Sequence, residues 1–410
     1  MQPPRACPGH PGAPPNSGLE IETQILSPSG RGRSFFLTSL FIELIDTVKG
    51  RSYHLRSLRS YCCFHSGVRT MRKAMWSIAG LALTCLSFVS YLWFTPGHTP
   101  AIQGPSSVAS LERDRIGGVD QCILIRGNDT SLPVLLFLHG GPGMPAMYLA
   151  HAFQRDLEKE FVVVQWDRRA AGKSYREDIS STLTTEQLVA DTVELSNVLR
   201  ARFHQDKIYL VGHSWGTYLG MLLTARHPEL YHAYVGIGQL ARSSPIPGIQ
   251  DEFIRQSATR VGDQDAIREL EKNGESVRET LLFKFGGELH HAKSFLPLLL
   301  TGLAAPEYSL HDARNIPKGV SLYSRNFVYN SISGELMDVI TQVKIPVYFF
   351  TGRYDYTDPF ALTEQYFSKI SAPEKHIVWF EDSAHFPFYE EPAAFARQMQ
   401  GVLNATSPTK

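Results

Sequence analysis

The stretch Lys207-Ile-Tyr-Leu-Val-Gly-His-Ser-Trp-Gly216 decides the fold of this chain. It contains the pattern G-x-S-x-G, with an apolar, β-branched run before it and a run of helical character after it, up to Arg226. Between a strand and a helix, this pattern makes a turn so sharp that the serine hydroxyl is pushed into open space. The glycines leave room where a side chain would collide with the neighbouring backbone. We therefore predict that Ser214 is a nucleophile at the carboxyl end of a buried strand.

Charge divides the chain into two unequal parts. The 410 residues carry 40 Lys and Arg and 40 Asp and Glu, so the formal net charge is zero. Residues 1–74 contain ten basic and four acidic side chains, a net charge of +6, so the remainder carries −6. A mildly acidic main part argues against a nucleic acid partner. Of the five cysteines, Cys122 alone lies in that main part beyond residue 94, which excludes a disulfide framework and a C-x-x-C metal pattern there.

The N-terminal quarter contains a long uncharged run. Residues 1–74 are basic and, at their start, rich in Pro, Gly and Ser, which predicts a mostly disordered segment. Residues 75–94 carry no charge and have the length that crosses a bilayer as a helix. Because the basic flank precedes them, we predict a membrane anchor through these residues, with the main part of the chain outside the cytoplasm. The alternative is a signal peptide that begins at Met71 and is cleaved from a secreted protein. Residues 95–107 are predicted to be a linker.

From residue 108 onward, apolar strand-like runs alternate with helical patterns. This alternation is typical of a mostly parallel α/β sheet flanked by helices. We expect an α/β core over residues 108–238 and 345–405, with a helical cap inserted at 239–344, where no clear strand pattern occurs. The expected strands lie at 122–126, 134–138, 161–165, 208–211, 233–237, 347–350 and 377–380, and the expected core helices at 146–159, 185–201, 215–226, 359–370 and 393–403.

Two loops near the C-terminus carry the partners that Ser214 needs. A serine hydroxyl is a weak nucleophile at neutral pH and needs a base, which in turn needs an acid to orient it. In a fold of this kind the acid and the base follow the serine along the chain, each in a loop after a later strand. Asp355 follows the strand-like run that begins at Ile345, and His385 follows the next such run. The predicted triad is therefore Ser214, Asp355 and His385, with Asp358 as the alternative acid.

A glycine-rich loop supplies the fourth part of the expected site. Negative charge develops on the carbonyl oxygen during acyl transfer, and one good backbone donor stabilises it by roughly 3–4 kcal/mol. One donor is expected to be the backbone N–H of Trp215, directly after the serine. The other is expected in His139-Gly-Gly-Pro-Gly143, with Gly141 as the first choice and Gly140 as the second.

Five motifs together resemble the prolyl iminopeptidase group of serine peptidases, within the α/β-hydrolase fold. They are His139-Gly-Gly-Pro-Gly143, Trp166-Asp-Arg-Arg-Ala-Ala-Gly-Lys-Ser174, Gly212-His-Ser-Trp-Gly216, Gly352-Arg-Tyr-Asp355 and Ser383-Ala-His-Phe386. The group's D-Q-R-G-x-G-R-S is D-R-R-A-A-G-K-S here, and its G-G-S-W-G is G-H-S-W-G. These departures bear on the substrate that the resemblance implies and leave the implied fold unchanged.

The resemblance implies an aminopeptidase, in which acidic residues of the cap hold the free amino terminus of a peptide. A buried ammonium group needs a carboxylate partner. Glu252 is the first candidate, and Glu307 and Glu335 are others. The alternative is a carboxylesterase, a lipase-like enzyme or a small-molecule amide hydrolase, because the same triad serves them and only the cap distinguishes them. A non-catalytic binding module on this fold is a third interpretation, which a complete triad disfavours.

Other charged residues are expected to be structural. Asp167 and Arg168 are predicted to form an ion pair near the site. His290, His291 and His311 lack companion ligands at metal spacing, so no metal site is expected. No cofactor is implied, and the expected ligand is a small-molecule or short-peptide substrate.

Overall fold

The structure, a computed structural model, describes residues 64–327 and 334–407. Residues 1–63, which belong to the segment 1–74 expected to be disordered, therefore lie outside the described residues. The chain divides into two compact units, residues 1–77 and residues 78–410. The second unit contains the sheet and every candidate site residue.

Among the described residues, an eight-stranded sheet forms the centre of the second unit. Its strands are β1 (Val108–Ile116), β2 (Val119–Gly127), β3 (Val134–Leu138), β4 (Val162–Asp167), β5 (Ile208–His213), β6 (Tyr231–Ile237), β7 (Val347–Gly352) and β8 (Lys375–Phe380). Their spatial order is β1-β2-β4-β3-β5-β6-β7-β8. Strands β3 to β8 pair in parallel, whereas β2 pairs antiparallel with both β1 and β4. The prediction of a mostly parallel α/β sheet is confirmed.

Along the chain, the described helices precede, connect or follow the strands of the sheet, and several occupy the described residues between β6 and β7. They are α1 (Phe64–Phe94), α2 (Ala150–Phe153), α3 (Thr185–Arg202), α4 (Trp215–Arg226), α5 (Ile246–Val261), α6 (Gln264–Asn273), α7 (Glu275–Phe285), α8 (Leu296–Leu303), α9 (Leu310–Ala313), α10 (Asn315–Asn326), α11 (Leu336–Val339), α12 (Phe360–Lys369), α13 (Pro387–Glu390) and α14 (Pro392–Thr406). The segment 146–159, expected as one helix, is instead α2 between two 3-10 turns. Short 3-10 turns lie at Met147–Leu149, Gln154–Lys159, Gly172–Ser174, Ser180–Thr182 and Pro228–Leu230.

The edge strand β1 is missing from the sequence prediction. Its residues 112–115 are four consecutive charged residues, which hide the alternation of apolar side chains. The strand forms a hairpin with β2 through Gly117 and Gly118, whose φ angles are 56° and 78°. A two-residue Gly-Gly connection is a strong hairpin signal, because both positions of such a turn need positive φ. This dipeptide is therefore the feature of the sequence that identifies β1.

The apolar residues 75–94 belong to helix α1. Among the described residues, no helix is both long and apolar enough to cross a membrane. This finding does not support the transmembrane helix predicted at 75–94, and the alternative of a signal peptide stays a prediction. The run shares its helix of 31 residues with the charged Arg69, Arg72 and Lys73, and Ser and Thr side chains interrupt it.

The sheet is buried on both faces. Every residue of β3 is at most 1% exposed, which explains why its sequence is apolar throughout rather than alternating. Leu136 of this strand packs with α3 and α4, whereas its neighbour Phe137 packs with α13 and α14. A separate apolar cluster within α5, α6 and α7 contains Ile254, Leu270 and Leu281. Helices α5, α6 and α7 therefore have a core of their own.

The order of the strands positions the candidate site. Ser214 follows β5, Asp355 follows β7 and His385 follows β8, and β5, β6, β7 and β8 are parallel neighbours. Because parallel neighbours end at the same edge of a sheet, the loops after these strands meet there. Three segments that are far apart in sequence therefore form one site.

Candidate active site

Ser214 lies on a strained turn between β5 and α4. Its φ and ψ angles are 53° and −125°, a backbone conformation that residues with a side chain rarely adopt. The backbone N–H of Ser214 donates to the carbonyl oxygen of Ile237 at 2.9 Å, and the serine side chain is half-buried. The strain therefore lies where the G-x-S-x-G pattern places a nucleophile.

Gly216 allows helix α4 to begin directly against the end of β3. A Cβ atom at this position would lie 2.2 Å from the carbonyl oxygen of Leu138 and 2.7 Å from that of His139. Backbone atoms yield less than side chains, so we expect Gly216→Ala to lower the free energy of unfolding by at least about 3 kcal/mol, the upper part of the usual overpacking range. Denaturant titration of the purified variant measures this loss.

Gly401→Ala is the matched control for that substitution. Gly401 lies inside α14, and an added Cβ atom would meet no atom within 4 Å. Alanine favours a helix interior by about 1 kcal/mol over glycine, so this variant is expected to be at least as stable as the wild type. Unchanged stability of Gly216→Ala would contradict the close approach of α4 to β3.

His385 is bonded to Asp355 at the edge of the sheet. Nδ1 of His385 lies 3.0 Å from Oδ2 of Asp355, and both side chains are buried. The other carboxylate oxygen, Oδ1, accepts the backbone N–H groups of Thr357 and Asp358, each at 3.0 Å. These two hydrogen bonds fix the carboxylate so that Oδ2 faces the imidazole. The structure thus brings Asp355, and not the alternative acid Asp358, to Nδ1.

Asp358 lies on the other side of the imidazole. Its Oδ2 is 4.0 Å from Nε2 of His385, and the hydroxyl of Ser214 donates a hydrogen bond to its carboxylate. Burial raises the pKa of Asp358 to about 7, although the charge of His385 opposes the rise. Asp358 is therefore in contact with both the serine and the histidine.

Glu288 adds a second buried carboxylate, which comes from the loop between α7 and α8. Its backbone oxygen accepts the N–H of His385 at 3.0 Å, and the hydroxyl of Thr357 donates to its carboxylate. Burial raises the pKa of Glu288 to about 7, against the attraction of His385. Within the described part of the chain, neither Glu288 nor Asp358 forms an ion pair with Lys or Arg. Two carboxylates thus face the histidine without a permanent counter-charge.

Three carboxylates act on the charge of His385. Burial would lower its pKa, but Asp355, Glu288 and Asp358 outweigh burial and raise the pKa well above the ordinary value. The neighbouring His213, whose ring centroid is 4.7 Å away, has a pKa well below the ordinary value because it is buried. The three carboxylates therefore favour the imidazolium form of His385, and a cation bound among them would favour the neutral form.

The glycine-rich loop after β3 lies against Ser214. A Cβ atom at Gly140 would be 3.0 Å from the Cβ of Ser214, and Gly141 has a φ of 78°. Trp215, whose backbone N–H is the other expected donor, begins helix α4 directly after the serine. The structure therefore brings together the loop and the helix start that the sequence assigns to an oxyanion.

Arg168 holds this loop from the protein interior. The side chain is fully buried, and its Nη2 donates to the carbonyl oxygens of His139 at 2.6 Å and Pro142 at 3.1 Å. The guanidinium carbon lies 5.2 Å from the ring centroid of Trp215. Burial lowers the pKa of Arg168 to about 10, so the group stays charged at neutral pH. Arg168 is thus a cation that contacts both segments expected to bind the oxyanion.

The expected ion pair between Asp167 and Arg168 is wrong. Asp167 instead accepts the backbone N–H of Lys173 at 2.7 Å, and the next residue but one, Arg169, pairs with Asp191 at 2.8 Å. Successive side chains at the end of a strand point to opposite faces of the sheet, so Asp167 and Arg168 diverge. Arg168 is left to bind backbone carbonyl groups.

The three carboxylates expected to hold an amino terminus have other surroundings. Glu252 is exposed and accepts a hydrogen bond from a neighbouring glutamine of its own helix. Glu335 accepts two backbone N–H groups just before α5, and Glu307 is buried and bonded to a threonine of the segment 95–107. In the described ranges, none of the three shares a hydrogen bond or an ion pair with the triad. Glu288, which the sequence does not single out, lies beside His385 instead.

Residues 133–392 match the α/β hydrolase fold family. The chain is 30% identical over 312 residues to a probable aminopeptidase of Bacillus subtilis, YbaC, across 72% of this chain and 96% of the relative. It is 27% identical over 290 residues to a proline iminopeptidase of Heyndrickxia coagulans, across 68% of this chain and 92% of the relative.

Solved structures share the same fold. A proline iminopeptidase-related protein of Thermus thermophilus superposes with a TM-score of 0.54 at 20% identity, over 73% of this chain and 99% of that chain. A proline iminopeptidase of Mycobacterium smegmatis superposes with a TM-score of 0.55 at 16% identity, over 72% of this chain and 98% of that chain. At such identities the likeness concerns the fold alone.

Proposed function

The chain belongs to the α/β-hydrolase family, and on this basis we propose that it is a serine aminopeptidase that removes the N-terminal residue of short peptides. Relatives named aminopeptidase and proline iminopeptidase support a hydrolase of this kind. The finer assignment, to substrates with a free amino terminus, rests on the charges around the reaction centre.

The proposed reaction uses the triad in its ordinary roles. Oγ of Ser214 attacks the carbonyl carbon of the scissile bond while Nε2 of His385 takes the hydroxyl proton and Asp355 orients the imidazole. The backbone N–H groups of Trp215 and Gly141 stabilise the oxyanion. His385 gives the proton to the leaving amine, which departs and leaves an ester on Ser214. Water, deprotonated by the same histidine, hydrolyses this ester and releases the N-terminal residue.

The observation that carries the aminopeptidase proposal is the pair of buried carboxylates, Asp358 and Glu288. One comes from the loop after β7 and the other from the loop between α7 and α8, and both act on His385. A substrate ammonium supplies a permanent counter-charge, whereas with a neutral substrate the imidazolium form of His385 stays their counter-charge and the base remains protonated. The ammonium also lowers the pKa of His385, so the base becomes available at neutral pH.

The test is hydrolysis of a matched panel by the full chain, with Ser214→Ala as the blank. The panel contains alanyl and prolyl p-nitroanilides, their N-acetyl derivatives and p-nitrophenyl acetate. We expect kcat/KM for the free amines to exceed that of the acetylated anilides by about 10²–10³-fold, because the ammonium pairs with the two carboxylates and leaves His385 neutral and able to act as the base. Equal values for both forms, or cleavage of the ester alone, would favour the carboxylesterase or amide hydrolase alternative.

Charge-removing variants locate the amine site. Glu288→Gln is expected to lower the preference for free amines by at least about tenfold, since one of two carboxylates loses its charge. Glu252→Gln is the matched control, because Glu252 is exposed, and it should keep the wild-type preference. The opposite pattern would return the amine site to Glu252, the first candidate from the sequence.

A further inference from the structure

We propose that His290, His291 and Asp382 bind one divalent transition-metal ion, with Zn²⁺ as the probe ion. Each of the three residues offers one ligand atom, and these atoms lie within 4.8 Å of one another. Nε2 of His291 is 3.0 Å from Oδ1 of Asp382, and the two imidazole centroids are 4.5 Å apart. Sequence spacing does not reveal this site, because the carboxylate comes from a distant segment.

The segments that carry these ligands are held together independently of any ion. His290 and His291 follow α7, and Asp382 follows β8. Glu390 joins the two segments: its Oε1 accepts the backbone N–H of His290 at 2.6 Å, and its Oε2 accepts that of Ala384 at 2.8 Å. The backbone around the site is therefore ordered in advance, which reduces the entropy lost when an ion binds.

The ligand side chains combine one restrained and two exposed groups. The ring of His290 stacks on Tyr354 with a centroid distance of 3.5 Å and an interplanar angle of 10°. The side chains of His291 and Asp382 are 62% and 69% exposed, so an ion reaches them from solvent. In a tetrahedral zinc site with bonds of about 2.0–2.2 Å, the ligand atoms are about 3.4 Å apart. Small rotations of the two exposed side chains close that difference.

The donor set decides which class of ion fits. Two imidazole nitrogens and one carboxylate oxygen suit Zn²⁺, Co²⁺, Ni²⁺ and Cu²⁺, whereas Mg²⁺ and Ca²⁺ prefer oxygen ligands alone. Three protein ligands leave at least one position for water. The site is therefore assigned to a borderline transition-metal ion.

A bound ion would join two segments that meet at the candidate active site. His291 lies three residues after Glu288, and Asp382 lies three residues before His385. The ion would hold the loop of Glu288 against the loop of His385 and so act as a clamp. Because it binds the folded arrangement, it is expected to raise the melting temperature. The binding itself does not depend on the proposed aminopeptidase activity.

The experiment is a metal titration of the full chain, prepared without a histidine tag and treated with a chelator. Calorimetry with ZnCl₂ near neutral pH should give one ion per chain with a Kd of about 1–10 μM. Titration with CoCl₂ should give visible absorption bands of a cobalt ion with nitrogen and oxygen ligands. Absence of saturable Zn²⁺ binding by the wild type would overturn the proposal, whatever the panel of anilides shows.

Two variants test the ligands, and a third is the control. His291→Ala and Asp382→Asn should each weaken Zn²⁺ binding by at least about tenfold and abolish the metal-dependent rise in melting temperature. His376→Ala is the matched control: Nε2 of His376 pairs with Glu374 at 2.7 Å on the surface, but no third ligand stands beside this pair in the described residues. Unchanged binding in both test variants, or an equal loss in the control, would overturn the site. Should His291→Ala fail to fold, Asp382→Asn alone tests the site, since both ligands are exposed.

Discussion

Asp355→Asn is expected to lower kcat about 10⁴-fold and to change KM little, because an amide at this position favours the wrong tautomer of the histidine. In the structure Oδ2 of Asp355 faces Nδ1 of His385 at 3.0 Å. An asparagine NH₂ group there donates to Nδ1, so the proton moves to Nε2 and no lone pair remains for the hydroxyl of Ser214. The measurement is kcat on one anilide, with active serines counted by a fluorophosphonate probe.

Asp358→Asn is the matched control, because this carboxylate also faces the imidazole but at Nε2, 4.0 Å away. The bond between His385 and Asp355 is kept in this variant. We therefore expect a loss of less than about tenfold in kcat for p-nitrophenyl acetate, which has no ammonium group to lose its partner. A larger loss in Asp358→Asn than in Asp355→Asn would make Asp358 the acid of the triad.

The pH profile of the ester reaction gives a second readout of the same control. His385 acts as a base only when it is neutral, and the carboxylates around it raise its pKa. Removal of the charge of Asp358 lowers that pKa, so the rising limb of kcat/KM should move to lower pH in Asp358→Asn. A move to higher pH would contradict the electrostatic role that the structure gives to Asp358.

The parts of the site that could be predicted depend on local signals and on chain order. The strand before Ser214 is predicted by an apolar run. The sharp turn explains Gly212 and Gly216, because it leaves no room for a side chain at either position. Because parallel strands end at one edge, the order of Ser214, Asp355 and His385 along the chain was enough to place all three in one region. The strands β3 to β8 followed from the same apolar runs.

The features that were missed depend on contacts between segments that are far apart in the sequence. Glu288 and Glu252 are both acidic residues in the helical insertion, and their burial alone distinguishes them. Asp382 meets His291 because Glu390 joins their loops. Glu288 and Asp382 were missed because the residues that they contact lie far away in the sequence.

Arg168→Gln is expected to lower kcat about 10²-fold while KM stays within about threefold of the wild type, because the loop that binds the oxyanion loses its internal support. Nη2 of Arg168 donates to the carbonyl groups of His139 and Pro142, and the guanidinium also lies over Trp215. These contacts hold both expected oxyanion donors, which act in the transition state more than in substrate binding. Steady-state kinetics on a free-amine anilide, normalised to labelled serine, measure the effect.

Arg169→Gln separates this role from a purely structural one. Arg169 is equally buried, but its guanidinium forms an ion pair with Asp191 and donates its other hydrogen bonds to Thr182 and Gly117, away from the oxyanion loop. Its loss should cost about 3–5 kcal/mol of stability, since Asp191 keeps a buried charge without a counter-charge, and kcat per labelled serine should not change. Arg168→Lys keeps the positive charge and should recover part of the lost kcat. If Arg168→Gln lowers the Tm but has the wild-type kcat per labelled serine, Arg168 stabilises the fold and does not position the oxyanion loop.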